Sequence, residues 1–176
     1  MDSGKITFGF KDHEVTFLLI AIKLIVFIVM TANGVSATNP AAADILQWGG
    51  CMSVYVTGGE WWRLLTAIFA HTGIIDLLAN IAALYFIGLM VESILGKAKF
   101  LIAFLCAGIL GNLAGIMWYN EIVFAGASGA VFGLYGVFLA FATTAYINKK
   151  FPKVWLLSIL AYVVFTVVMR RQGRCL

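Results

Sequence analysis

A serine flanked by glycines, in Gly126-Ala127-Ser128-Gly129, opens one of the apolar runs of this chain. A hydroxyl at the start of a helix can meet water, and the free N–H groups there stabilise developing negative charge. Ser128 is therefore a candidate nucleophile. The competing reading is packing. Gly126, Ser128, Gly129, Gly133 and Gly136 follow one another along this run, and Gly108, Gly111 and Gly115 along the run before it. Small residues in such rows let membrane helices approach closely. A second polar group, His71, Asp76 and Asn80, gathers at the start of another apolar run. Asp76 and Asn80 are four residues apart and share a helix face. Polar and charged groups at membrane depth are costly and are functional candidates by default. Glu92 lies near the far end of that same run, where a structural role is expected. Lys23 lies inside the first run, where its long stem is expected to carry the charge to an interface.

The elements that must position these residues are membrane helices. Of the 176 residues 62% are hydrophobic and 11% charged, and the mean hydropathy is +1.00. A soluble domain of this size carries far more charge. A bilayer core needs about 20 mostly apolar residues per helix. The sequence predicts one all-α, polytopic membrane domain over residues 1–176, with spans at about 15–32, 73–95, 100–118, 127–147 and 154–169. Residues 33–70 form a long connection that bends at several glycines and carries the interfacial aromatics Trp48, Tyr55, Trp61 and Trp62. A cleaved signal peptide competes for the first run. Its length, Lys23 within it and the acidic residues before it favour an uncleaved span.

Charge sets the expected orientation. Lys97 and Lys99 separate the second and third spans, and Lys149, Lys150 and Lys153 the fourth and fifth. These short loops belong on one side, the cytoplasm by the positive-inside rule, and the N-terminus with them. The expected setting is a bacterial inner membrane. The tail Arg170, Arg171, Gln172, Gly173, Arg174 then falls outside, against the rule. The net charge of +4 marks no nucleic-acid patch. Cys51, Cys106 and Cys175 have no metal-ligand spacing, and His13 and His71 are the only histidines, so neither a metal nor a cofactor is expected.

Together these residues resemble the rhomboid intramembrane serine proteases. The resemblance rests on Gly126-Ala127-Ser128-Gly129 opening the fourth span and on Trp62-Arg63 within GEWWRLLTAIFAH. It rests also on His71 followed by Asn80, and on Glu92 before Gly96 in VESILG. It covers residues 15–169 and implies a rhomboid-like bundle of six core helices, five of them present here. It implies that Ser128 is the nucleophile and Asn80 an oxyanion donor, with His71, Asp76 and Ala127 in the oxyanion region. Trp62, Arg63, Glu92, Gly126, Gly129 and Gly133 would be structural. The partners implied are the lipid bilayer and the transmembrane segments of membrane-protein substrates, unwound near the outer surface.

The chain departs from that family at two places. Asp76 stands where the family usually has a second histidine, and an ionised carboxylate there would oppose an oxyanion. The family's base is a histidine on a sixth core helix, and no histidine follows Ser128 here. A serine without an adjacent base is a poor nucleophile. The expectation is thus a rhomboid-type endopeptidase of impaired activity, through a gene truncation. Loss of the sixth helix should leave Gly129, Gly133 and Gly136 facing lipid or the long connection, and lower stability. The alternative is a non-catalytic rhomboid-like protein that binds membrane-helix clients. A solute pathway lined by Asp76, Asn80 and Ser128 is a third reading. The lack of internal repeats and the gathering of polar groups at one end speak against it.

Overall fold

The computed structural model describes residues 13–147, with side chains to residue 143. The span expected at 154–169 and the arginine-rich tail lie outside the described residues. The described chain is helical: α1 Glu14–Ala32, α2 Ala42–Gln47, α3 Ser53–Thr57, α4 Arg63–Thr66, α5 Ile74–Leu95, α6 Lys97–Trp118 and α7 Ser128–Ile147. Among the described residues the sole strand-like pairing is an isolated bridge between Cys51 and Phe124. The helices α1, α5 and α6 are long and apolar enough to cross a membrane, and α7 carries a shorter apolar stretch, Ser128–Thr143. In hydrocarbon every backbone group must find its partner within the segment, which a helix alone among single segments provides. The chain is an integral membrane helical bundle.

Two compact units divide the chain, residues 1–134 and 135–176. The first holds α1 to α6 and the opening turns of α7. The second holds the remainder of α7 in its described part.

In the first unit α1 and α5 run antiparallel. At one end Glu92 of α5 accepts hydrogen bonds from the backbone N–H of Val15 (3.0 Å) and Thr16 (2.9 Å) and from the Thr16 hydroxyl (2.7 Å). The first turn of a helix leaves N–H groups without intrahelical partners. The N-cap His13 makes no side-chain capping bond, so a carboxylate from a different helix caps α1. One turn further in, Thr16 fits the notch at Gly88, where a Cβ would lie 2.6 Å from its Oγ1. At the other end Met30 and Val35 pack with Ile45 and Ala70, and Ile74 N–H donates to Ala37 O at 2.7 Å.

Gly96 alone separates α5 from α6, at φ +76°. Residues with a Cβ rarely adopt that conformation, so the reversal depends on glycine. The helix α6 begins at Lys97, three residues before the apolar run predicted from residue 100. Helices extend past the hydrocarbon into the headgroups, where lysine is welcome. Between α6 and α7 the backbones meet at Gly111 and Gly129, where a Cβ on either would come within 3.1–3.3 Å of the other's Cα. A Cβ on Gly133 would overlap Ala107. Gly129 and Gly133 therefore face α6, which corrects the expectation that they line the place of a further helix.

The connection expected to be irregular contains α2, α3 and α4 and is tied together by Arg63. Its Nε donates to Glu60 Oε2 (2.6 Å) and its Nη1 to Leu46 O (2.6 Å) and Gly50 O (2.9 Å). The guanidinium lies 4.9 Å from the Tyr55 ring and 4.6 Å from that of Trp62. A planar donor fork between aromatic faces suits arginine and not lysine. Trp61 and Trp62 project outward, and so do Leu18, Ile25, Ile28, Ile75, Leu78, Phe86 and Ile102. Buried instead are Thr16, Lys23, Arg63, His71, Asn80 and Glu92, an apolar-out arrangement suited to lipid.

Candidate functional site

Ser128 is the first residue of α7 and is half-buried. The segment leading to it is fixed by three backbone bonds. Cys51 and Phe124 exchange both of theirs, at 2.8 and 2.7 Å, and Gly126 N–H donates to Ala67 O at 2.8 Å. Gly126 adopts φ +107°, and a Cβ there would lie 3.3 Å from Asp76 Oδ2 and 3.9 Å from Asn80 Nδ2. The turn carrying Ser128 thus lies against the opening of α5, where Asp76 and Asn80 sit. Ala127, between Gly126 and Ser128 in the chain, is fully buried.

Asp76 is the third residue of α5 and reaches back to the residue before the N-cap Gly73. Its Oδ2 accepts from the backbone N–H (3.1 Å) and hydroxyl (3.2 Å) of Thr72. A carboxylate suits the positive end of the helix. Its Oδ1 accepts from Asn80 Nδ2 at 2.8 Å, and the same amide group donates to Asp76 O at 2.9 Å. Both Asn80 N–H bonds are therefore committed to Asp76. Asn80 Oδ1 is buried and has no hydrogen-bond partner among the described residues. The amide would have to turn away from Asp76 before Nδ2 could donate elsewhere.

His71 is 1% exposed. Its Nδ1 lies 3.0 Å from Phe69 O, a carbonyl that can only accept, so Nδ1 carries the hydrogen. Nε2 is left as a buried acceptor with no partner among the described residues. Burial holds the ring far below the ordinary 6.5, down to about 3; the Lys23 charge adds to this, and the bond to Phe69 opposes it. A neutral imidazole of such low basicity is a weak general base near neutral pH. His13, at the start of α1, lies at the Glu92 end, the length of α5 away, about 33 Å for 22 residues.

Two residues matter more than their sequence context suggests. Lys23 does not reach an interface. It is completely buried in α1, with its Nζ 5.3 Å above the centre of the Phe104 ring. Thr72 supplies two of the Asp76 bonds, and its place four residues before an acidic residue at a helix start was the available signal. Trp62 lies at the surface, half exposed, and Arg63 and Glu92 are buried at the anchoring points described above. Among the described residues no three His, Cys, Asp or Glu side chains converge so as to hold a metal ion.

A family model for the rhomboid domain matches residues 58–173. The chain is 37% identical over 148 residues to Rhomboid protease GluP of Bacillus subtilis, covering 84% of this chain and 26% of that protein. It is 38% identical over 131 residues to RHOMBOID-like protein 2 of Arabidopsis thaliana, covering 73% and 40%. It is 30% identical over 130 residues to Inactive RHOMBOID-like protein 8 of the same plant, covering 73% and 36%. The chain thus spans between a quarter and two fifths of the length of these relatives.

Proposed function

The chain belongs to the rhomboid family, and from that premise we propose that it is built as an intramembrane serine endopeptidase whose nucleophile is Ser128. The observation that carries this reading is the meeting of the Gly126 turn with Asp76 and Asn80 at one end of the bundle. Ser128 Oγ attacks the carbonyl carbon of a substrate peptide. The oxygen that gains charge is met by the backbone N–H groups opening α7, and by Asn80 once its amide has turned from Asp76. The substrates are membrane proteins with a transmembrane segment that unwinds at this end, since a helical peptide bond is hydrogen-bonded and shielded. The Lys97–Lys99 end faces the cytoplasm and the Ser128 end the outer side, in a bacterial inner membrane.

Attack requires a proton acceptor. His71 is held neutral with little basicity, and His13 lies at the opposite end. These 176 residues by themselves therefore hydrolyse slowly. A fluorophosphonate probe tests the assignment. We expect weak labelling that disappears in Ser128→Ala; labelling that persists there removes Ser128 as nucleophile.

Two observations favour a second reading, a non-catalytic protein that binds membrane-helix clients. Asp76 occupies both donors of Asn80, and one relative at 30% identity is named as inactive. Absence of labelling, combined with co-purification of a transmembrane peptide, selects it.

A further inference from the structure

Lys23 is the one buried cation in α1, and nothing in the reading above uses it. Its side chain is 0% exposed, and Nζ has no hydrogen-bond partner among the described residues. An ammonium group buried without a counter-charge is strongly disfavoured. The ring of Phe104 at 5.3 Å offsets only part of that.

The register of α1 against α5 identifies the counter-charge. Thr16 sits in the Gly88 notch, and the two helices are antiparallel. Lys23 lies seven residues beyond Thr16, a rise of about 10 Å. Seven residues back from Gly88 is Ile81, beside Asn80 and just over a turn inside Asp76. The four-carbon stem of lysine can close the remaining gap. Asp76 lies within electrostatic reach of Lys23, and so does His71. Of these two, Asp76 alone carries negative charge. Charges in so apolar an interior are poorly screened from one another.

We propose that Lys23 is the counter-ion of Asp76, a positioning residue supplied by α1 that keeps this carboxylate ionised at the mouth of α5. The ionised group then holds Thr72 and Asn80 in place. The positive charge behind it offsets the negative potential that Asp76 would otherwise set against an oxyanion. The consequence for chemistry rests on the site assigned under the proposed function; the charge couple itself does not.

The test uses the full chain in detergent and the variants Lys23→Met, Lys23→Arg, Asp76→Asn and Lys23→Met/Asp76→Asn. Infrared difference spectra report whether a carboxyl group is protonated. Lys23→Met should gain the C=O stretch of a neutral carboxylic acid. The band should be absent from Lys23→Arg and from the double variant. Unfolding by steric trapping should show Lys23→Met destabilised and the double variant partly restored, a rescue that a merely space-filling lysine would not give. If Lys23→Met does not fold, recovery of folding in the double variant supports the couple. Additive losses, or no band that depends on Asp76, overturn it. Neither readout needs proteolysis. A positive infrared result beside an unlabelled Ser128 keeps the couple and rejects the protease reading.

Discussion

At the scale of single residues, the opening of α5 is a contest for the hydrogens of one amide. Asp76 holds both Asn80 N–H bonds, so Asn80→Ala tests how far the amide is ever released. If it turns toward substrate, the variant should lower Ser128 labelling by about 10²–10³-fold, the usual effect of one lost oxyanion donor. Gly126→Ala places a Cβ at φ +107° and 3.3 Å from Asp76 Oδ2. Non-glycine residues in such conformations cost about 1–3 kcal/mol, so the variant should unfold correspondingly earlier and label poorly. His71 links the site to pH. Its ring binds a proton near 6.5 when unfolded and only near 3 when folded. The unfolded state therefore holds more protons between those values, and stability rises with pH across that window. Acidification should weaken the fold at up to about 1.4 kcal/mol per unit. Unfolding curves on the two sides of pH 6.5, with His71→Phe as control, should show this dependence in the parent and less of it in the variant. That Ser128 opens a helix among glycines could be read from residue type and order alone. The grip of Asp76 on Asn80 could not, because two side chains four apart on a helix announce proximity but not which donor meets which acceptor.

At the scale of elements, α1, α5 and α7 begin at Glu14, Ile74 and Ser128, each at the start of an apolar run of the sequence. The short α2, α3 and α4 have too few residues to display a period. What orders them is a fixed cation, Arg63, between two rings and two carbonyls. The burial of Lys23 was also hidden, since a long stem near a helix middle reads equally well as reaching for water. Glu92→Ala should be among the most damaging changes at the α1–α5 contact. It removes the carboxylate that accepts from Val15 N–H, Thr16 N–H and the Thr16 hydroxyl, and bonds to charged groups contribute about 1.5–3 kcal/mol each. A loss of about 3 kcal/mol or more is expected in detergent unfolding, with Glu92→Gln intermediate. Gly129→Leu should separate α6 from α7 at Gly111 and lower stability without touching α1.

At the scale of the whole molecule, the first unit keeps Lys23, Arg63, His71, Asn80 and Glu92 inward and presents Leu18, Ile25, Ile75, Phe86 and Ile102 outward. The cysteines offer a direct check. Cys51 is fully buried, and burial pushes its thiol up to about 11 against a smaller opposing effect of Arg63. Cys106 is exposed on α6. A membrane-permeant maleimide should modify Cys106 in the folded protein and reach Cys51 only after unfolding. The carboxylate that caps α1 also has a biosynthetic consequence. Thr16 and its acceptor are 76 residues apart in the chain. The α1 span must leave the ribosome before Glu92 has been translated. Its first N–H groups meanwhile depend on headgroups and water, so α1 is locked in register only once α5 has followed it.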